Sequence, residues 1–205
     1  MRLFYATRNE SKICNMRHRL KDYDVEIVTP KDTGLYIDVE ETGSSPMENA
    51  MLKARAYYDK AGMATIAGDS GLYIDGIPDE KQPGLFVHRL NGKSLSDDEV
   101  IEHYSNLARE YGGRLRARSV TGLSLIVDGK EYHTEIPDDD MFLTGTPNKN
   151  MKHRGNPLDV ITICPANGKY INDCSLDELT LLAGSFDRKC VQFLKEHLFC
   201  RQVKS

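Results

Sequence analysis

The 205-residue chain contains no tryptophan and no excess of positive charge. Its 27 lysine and arginine residues are outnumbered by 31 aspartate and glutamate residues, which gives a net charge of -4. Such a chain lacks the broad basic field that holds a nucleic-acid backbone or an anionic membrane surface. No apolar run approaches the roughly 20 residues of a membrane span, and the first residues lack the apolar stretch of a signal peptide. We therefore expect a cytoplasmic protein with no nucleic-acid and no membrane partner.

The cysteine pattern argues against two further classes of protein. The five cysteines are odd in number and widely spaced, at positions 14, 164, 174, 190 and 200. A disulfide framework and a structural zinc site both require regular, paired spacings. We interpret these residues as buried or incidental thiols.

The order of the predicted elements favours one compact α/β domain over residues 1–205. Strand-like runs alternate with helical ones, without a repeat, a low-complexity tract or a Pro/Ser-rich linker. The predicted helices are one that carries Ile13, Met16 and Leu20 and three that begin near Pro46, Ser96 and Ser185. The predicted strands are Leu3–Ala6, Val25–Val28, Tyr36–Val39, Thr65–Ala67 and Leu72–Ile74, followed by a long β-hairpin over 115–136 that turns at Asp128-Gly129.

Polar and charged residues stand at the edges of these apolar runs in the first third of the chain. They occur in the segments ATRNESK, EETGSS, ENAMLKA and AGDSGL. Two carboxylates, two lysines and a hydroxyl–amide pair suit a magnesium-bound polyphosphate, because Mg²⁺ prefers oxygen ligands and phosphates need cations and N–H donors. The set consists of Thr7, Asn9, Lys12, Glu41, Asn49, Lys53, Asp69 and Ser70.

The turn from Thr7 to Lys12 connects a predicted strand to a predicted helix. The first N–H groups of a helix point outward and the helix dipole favours an anion there, while Lys12 adds a full positive charge. This arrangement suits a phosphate. Taken alone, the same residues are explained more simply by Thr7 or Asn9 as a helix cap and Lys12 as a solvated residue of the first turn.

Two acids could hold the metal. Glu41 lies where a strand-like segment gives way to a Gly/Ser turn, and Asp69 lies between the apolar stretches TIA and LYI. Read separately, Glu41 fits a surface acid and Asp69 fits an Asx turn. Asn49 and Lys53 are four residues apart on one face of a predicted helix, so both can point at one ligand.

The order and spacing of these segments resemble the inosine/xanthosine triphosphate pyrophosphatase family. The matching segments are A-T-R-N-E-S-K, E-T-G-S-S-P-M-E-N-A-M-L-K-A-R-A and G-D-S-G-L-Y-I-D. Further pieces follow in the same order, namely Pro83-Gly84 before Arg89, Gly145, the segment from Gly155 to Asp159, and a terminal helix from Ser185. The resemblance covers nearly the whole chain.

This resemblance implies a two-lobed α/β fold around a long twisted mixed β-sheet, with the active site in the cleft between the lobes, and a homodimer. It implies Mg²⁺-dependent hydrolysis of a nucleoside triphosphate to the monophosphate and pyrophosphate. Carried over by position, Glu41 and Asp69 would bind Mg²⁺, and Asp69 and Lys53 would be catalytic, Asp69 by positioning or deprotonating the attacking water. The substrate-binding residues would be Thr7, Asn9, Lys12, Asn49, Lys53, Ser70, Asn156, Asp159 and Ser185.

The chain departs from the family pattern mainly where the base is recognised. Gly68 replaces the first of two adjacent aspartates, and the usual Gly-aromatic-Gly-Tyr-Asp-Pro segment is GNPLDV, which keeps Asp159 but places Asn156 and Leu158 at the aromatic positions. The terminal Ser-His-Arg is Ser185-Phe186-Asp187. We therefore expect altered or relaxed base specificity. The cations that could replace the lost donors are His153, Arg154 and Arg188, each also explained as an ordinary surface residue.

Two functions of different class follow from these residues. The first is a nucleoside triphosphate pyrophosphatase with altered base preference, which the intact phosphate and metal residues favour. The second is a nucleotide-binding or regulatory protein without turnover, which Gly68 and the changed base segment suggest. Release of pyrophosphate from a panel of triphosphates would separate them.

Overall fold

In a computed structural model, residues 1–138, 140–182 and 184–199 are described, and they form an α/β fold around a mixed sheet. The strands are β1 Arg2–Tyr5, β2 Glu26–Val28, β3 Thr65–Ile74, β4 Arg89–Leu90, β5 Lys93–Ser94, β6 Arg114–Val127, β7 Lys130–Pro137, β8 Met141–Thr144 and β9 Thr162–Ile163. The helices are α1 Glu10–Arg19, α2 Pro30–Thr33, α3 Pro46–Ala61, α4 Asp97–Glu110, α5 Leu176–Leu182 and α6 Gly184–Leu194, which a π-helical turn extends over Lys195–Phe199. None of the helices in these described ranges is long and apolar enough to cross a bilayer.

The larger sheet has the strand order β2-β1-β3-β6-β8-β9, with β7 paired to β6, and β4 and β5 form a separate two-stranded sheet. Strand β1 runs parallel to β2 and β3, whereas β8 runs antiparallel to both β6 and β9. The expected α/β class with a mixed sheet is therefore confirmed. The predicted β-hairpin is also confirmed as β6 and β7, and Asp128 and Gly129 at its turn adopt the positive φ that a tight hairpin requires.

The chain divides into two compact units. The first, unit 1, comprises residues 1–70, 121–137 and 184–205, and the second, unit 2, comprises 71–120 and 138–183. Strands β3 and β6 contribute residues to both. The single-domain assignment for 1–205 stays a prediction.

Unit 1 packs helices on both faces of its part of the sheet, because β1 alternates its side chains between the faces. Leu3 and Tyr5 join a core with residues of α1 and α6, and Phe4 joins a core with Ala54 and Tyr57 of α3. Asp69, the acid of the predicted site, follows directly on the buried start of β3 at Thr65–Gly68. In unit 2, one face of α4 packs against β6, β8 and the 3₁₀ turn at Pro157–Val160.

Local capping explains where the helices of unit 1 begin. The Asn9 side chain caps α1 by accepting from the backbone N–H of Lys12 at 3.0 Å. Ser45 caps α3, and Pro46 takes the first helical position. The Glu48 carboxylate accepts from the backbone N–H and the hydroxyl of Ser44 at 2.7 and 2.8 Å.

Two predicted strands differ in the structure. Residues 36–39 have irregular backbone, where Ile37 is fixed by hydrogen bonds to and from the Tyr57 hydroxyl rather than by a strand partner. The predicted break between Ala67 and Leu72 is absent, since β3 is continuous through it. Pairing with neighbouring strands overrides the local turn preference of Gly-Asp-Ser-Gly. The cysteines at 14, 164, 174 and 190 are free and buried or partly buried, as predicted, whereas Cys200 lies outside the described residues.

Candidate active site

Asp69 is the centre of a polar cluster in unit 1. Its side chain is 14% exposed, and each carboxylate oxygen has a partner. Lys53 Nζ lies 3.0 Å from Oδ1, and Asn49 Nδ2 donates to Oδ2 at 3.1 Å. Because a partly buried carboxylate is costly without partners, these contacts explain how an acid is tolerated beside the buried start of a strand.

Lys53 also contacts the second predicted metal ligand. Its Nζ lies 3.1 Å from Glu41 Oε1, so one ammonium group bridges Glu41 and Asp69. The Lys53 and Asp69 side chains are 14% exposed, whereas Glu41 is 43% exposed. Glu41 and Asp69 of β3, which lie on different segments, thus contact the same ammonium group of Lys53. Three residues that were predicted from separate segments meet here.

The predicted substrate-binding residue Asn49 is buried, with only 2% of its surface exposed. Its Oδ1 accepts from the backbone N–H of Gly43 at 2.8 Å, while its Nδ2 donates to Asp69. Both ends of the amide are therefore occupied by protein groups. Asn49 links the segment 41–45, which carries Glu41, to the carboxylate of Asp69.

Lys12 completes the charged cluster. Its Nζ donates to the backbone oxygen of Gly68 at 3.4 Å. Burial and, to a smaller extent, the charge of Lys53 lower the pKa of Lys12 to about 8, while the carboxylates of Asp69 and Glu41 oppose the shift. Two lysines and two acids thus interact within one region of unit 1.

The remaining predicted residues of unit 1 have local roles. Thr7 Oγ1 accepts from the backbone N–H of Asn9 at 3.2 Å, and Asn9 caps α1, as the alternative interpretation of this turn proposed. These contacts do not exclude a phosphate at the N-terminus of α1, whose first turn carries Lys12. Ser70 Oγ lies 3.0 Å from Thr121 Oγ1 on β6.

Two glycines that the sequence analysis did not assign to the site hold it together. A Cβ at Gly43 would lie 2.7 Å from Asn49 Oδ1, and a Cβ at Gly122 would lie 2.2 Å from the backbone nitrogen of Met47. Gly122 therefore lets the first turn of α3 approach β6 closely. An isolated glycine within a strand pattern is the sequence signal for such an approach.

Asn156 and Asp159 lie in unit 2, at the 3₁₀ turn that follows residue 155. Asn156 Nδ2 donates to Asp159 Oδ1 at 2.7 Å, and Asp159 is 8% exposed. Burial raises the pKa of Asp159 to about 6, although the charge of Arg154 and the Asn156 hydrogen bond act in the opposite direction. Arg154 Nη1 donates to the backbone oxygen of Cys174, and its buried Nη2 has no hydrogen-bond partner within the described ranges.

The terminal helix α6 begins at Gly184, one residue before the predicted start at Ser185. Ser185 lies in its first turn, in unit 1, and the two residues after it contact Arg19. Arg19 Nε donates to Asp187 Oδ1 at 2.6 Å, both side chains are 12% exposed, and the Arg19 guanidinium lies 5.0 Å from the Phe186 ring centroid. The Asp187 carboxylate is therefore committed to a mostly buried ion pair between α1 and α6.

A metal ion at the cluster would have oxygen ligands from the protein. No group of three or more His, Cys, Asp or Glu side chains in the part of the chain described could hold a metal. Glu41 and Asp69, however, already share one cation, the Lys53 ammonium. Two carboxylates with remaining positions left to water and phosphate are the ligand set that Mg²⁺ commonly takes. The residues present therefore fit this ion.

The fold is that of solved Ham1 proteins. The Staphylococcus aureus Ham1 protein superposes with a TM-score of 0.72 at 24% identity, over 98% of this chain and 100% of that one. The Coxiella burnetii HAM1 protein superposes with a TM-score of 0.73 at 22% identity, over 96% of this chain and 99% of that one.

Sequence comparison gives the family. The model described as "Ham1 family" matches residues 3–136, about two thirds of the sequence, and the chain therefore belongs to the Ham1 family. This confirms the resemblance inferred from the motifs. A dITP/XTP pyrophosphatase of Aquifex aeolicus is 39% identical over 90 residues, 44% of this chain and 42% of that protein.

A more distant relative matches over a longer span. The dITP/XTP pyrophosphatase of Caldanaerobacter subterraneus subsp. tengcongensis is 28% identical over 203 residues, 98% of both chains. Matches such as that to the Aquifex protein, by contrast, span about half the length of the relative. The stronger similarity is thus confined to part of the sequence.

Proposed function

We propose that this protein hydrolyses a nucleoside triphosphate between its α and β phosphates, releasing the monophosphate and pyrophosphate. The observation that carries the proposal is the contact of Lys53 with both Asp69 and Glu41, beside Lys12. Membership of the Ham1 family and the names of the dITP/XTP pyrophosphatases among its relatives support it. The substrate and the activity of this chain are our inference from these findings.

In the proposed reaction, a water oxygen adds to one phosphorus of the α–β anhydride. The anhydride bond breaks, and the products are the monophosphate and pyrophosphate. Asp69 holds the water and accepts its proton, because it is the partly buried carboxylate of the cluster. Asn49 fixes Oδ2 of Asp69 and thereby orients the carboxylate.

The two lysines stabilise negative charge on the phosphate oxygens. Lys12 and Lys53 are held on different elements, α1 and α3, so they reach a polyphosphate from two directions. The N-terminus of α1, next to Thr7 and Asn9, adds backbone N–H groups and the positive end of a helix dipole. Preorganised donors of this kind are usually the largest contribution to catalysis of phosphate chemistry.

We further propose that Glu41 and Asp69 bind Mg²⁺. When bound, this ion acts as a Lewis acid that neutralises charge on the phosphate oxygens. Gly68 leaves the position before Asp69 without a carboxylate, so the protein contributes two acids there. Ser70 and Thr121 form a hydroxyl pair beside this acid.

For the base, we propose altered or relaxed specificity, with Asn156 and Asp159 as binding residues. The family resemblance of the GNPLDV segment supports this assignment, and burial raises the pKa of the Asp159 carboxyl, which is hydrogen-bonded to Asn156. Ser185 is the third proposed residue. A homodimer and a cytoplasmic location are also proposed, from the family resemblance and the composition, and sedimentation of the purified protein would test the dimer.

The experiment that tests the proposed function is release of pyrophosphate from a panel of nucleoside triphosphates, with Mg²⁺ and with a chelator. We expect release that requires the metal. Binding of triphosphates without release would contradict turnover and would support a regulatory nucleotide-binding protein.

A further inference from the structure

The Lys53 ammonium occupies the position between the two carboxylates to which a divalent cation would bind. Its Nζ lies 3.1 Å from Glu41 Oε1 and 3.0 Å from Asp69 Oδ1. The other oxygen of Asp69 accepts from Asn49. Both oxygens of this carboxylate are thus engaged by side chains of unit 1.

The charges of the cluster are balanced. Glu41 and Asp69 carry two negative charges, and Lys12 and Lys53 carry two positive ones. A bare Mg²⁺ would therefore add two uncompensated positive charges next to two lysines. Since like charges in a partly buried site repel more strongly than in water, entry of the cation alone is unfavourable.

A triphosphate changes this balance. It supplies several negative charges and oxygen ligands, and the long flexible side chain of lysine can turn from a carboxylate to a phosphate. Once Lys53 has moved to a phosphate, the oxygens of Glu41 and Asp69 are available to the metal. Charge-assisted hydrogen bonds to phosphate compensate Lys53 for the contacts it loses.

We propose that Lys53 is an internal counter-cation that keeps a free divalent cation out of the site until a triphosphate draws it away. The inference rests on the proposed function for the identity of the ligand. This role of Lys53 makes the binding of metal and the binding of triphosphate depend on each other, because a coupling between two ligands acts equally in both directions. Lys53 is then a residue that orders binding as well as one that contacts phosphate.

The test is titration of the ligand-free protein with Mg²⁺ alone, measured by calorimetry. We expect weak binding to the wild type and at least tenfold tighter binding to Lys53→Met, in which the competing charge is removed and the side-chain length is kept. Lys53→Arg retains the charge and should bind as weakly as the wild type. Lys31→Met is the matched control, because Lys31 is an exposed lysine of unit 1 that pairs with Glu10 at 3.6 Å.

The gain in Mg²⁺ affinity must come from the carboxylates of Glu41 and Asp69. In the double variant Lys53→Met with Glu41→Gln, we expect the tighter binding to disappear. Equal Mg²⁺ affinity of the wild type and Lys53→Met would overturn the proposal, as would a gain in Lys31→Met of the same size.

A second measurement uses the wild type alone, in case Lys53→Met does not fold. Thermal unfolding with Mg²⁺ alone, with a non-hydrolysable triphosphate alone and with both should show a joint shift larger than the sum of the separate shifts. Additive shifts would overturn the proposal. Neither measurement involves turnover, so pyrophosphate release in the wild type decides the proposed function separately.

Discussion

Gly122 on β6 lies directly against Met47 in the first turn of α3, so closely that a Cβ at Gly122 would be 2.2 Å from the Met47 nitrogen and 2.4 Å from the Pro46 carbonyl carbon. The neighbouring atoms belong to the backbone of a helix and cannot rotate away. The same helix carries Asn49 and Lys53. The position of both site residues therefore depends on the absence of a side chain on a different element.

Gly122→Ala should destabilise the protein by about 3 kcal/mol, the upper end of the usual cost of overpacking, because the start of α3 must move away from β6. Denaturant unfolding measures the change. The matched control is Gly68→Ala on β3, where the nearest atom to an added Cβ is the terminal Leu123 Cδ2 at 3.2 Å, a side chain that can shift. An equal loss of stability in both variants would show that the close approach of α3 to β6 is not what makes Gly122→Ala destabilising.

Asp69→Asn should nearly abolish pyrophosphate release while leaving the fold intact. The amide keeps the size of the side chain but removes the charge that holds Lys53 and the water in our mechanism. The measurement is kcat at fixed Mg²⁺, with circular dichroism as the test of folding. Asp75→Asn is the control, because Asp75 is an exposed acid just beyond the end of the same strand. Full activity of the Asp69 variant would remove this residue from the mechanism.

The affinity for triphosphate should fall as the pH rises through about 8. Lys12 attracts phosphate only when protonated, and its pKa in the free protein is lowered to about 8 by burial and by Lys53. The effect is measured by the dissociation constant of a non-hydrolysable triphosphate at several pH values between 7 and 10, a range that includes the pKa of Lys12. In Lys12→Met we expect weaker binding throughout and a flatter profile. An unchanged slope in this variant would assign the titration to another group.

Asp159→Asn should stabilise the protein at neutral pH and have little effect in acid. The pKa of Asp159 is raised from 3.8 to about 6 in the folded protein, so the folded state binds more protons than the unfolded state between these values. Stability from this group is complete below about pH 3.8 and is lost as the pH rises through about 6. We expect a gain of about 1 to 3 kcal/mol at pH 7 to 8, from the size of the shift.

Unfolding at about pH 3 and at about pH 7.5, on either side of this window, checks the sign. A gain of equal size at both pH values would show that Asp159 affects stability through packing rather than through its charge. Asp173→Asn would serve as a control in the same unit, since Asp173 accepts hydrogen bonds from Asn148 and Asn150.

The residues of the candidate site were proposed from the sequence, whereas the contacts among them could not be read from it. Thr7, Asn9 and Lys12 stand at a strand-to-helix turn, and a short-range pattern identifies such a turn. The ion pair of Arg19 with Asp187 joins residues 168 positions apart, and only the packing of α6 on α1 brings them together. Local pattern also failed for β3, which pairs with β1 at Thr65 and Ile66 and with β6 on its other side and stays continuous through glycines that favour a turn.

The preference for inosine triphosphate over adenosine or guanosine triphosphate should be below about tenfold, equivalent to about 1.4 kcal/mol. In the base segment, Asn156 is bonded to Asp159 and Leu158 is buried, while Asp187 is occupied by Arg19. The groups left at these positions thus include few free donors for a purine oxygen, and discrimination depends on such donors. Ratios of kcat/KM for the three substrates measure this preference. A preference of a hundredfold or more would contradict this prediction and would require a hydrogen-bond donor from another residue. Arg154→Gln is the first variant to test for that role, because Arg154 Nη2 has no hydrogen-bond partner in the segments that the structure describes.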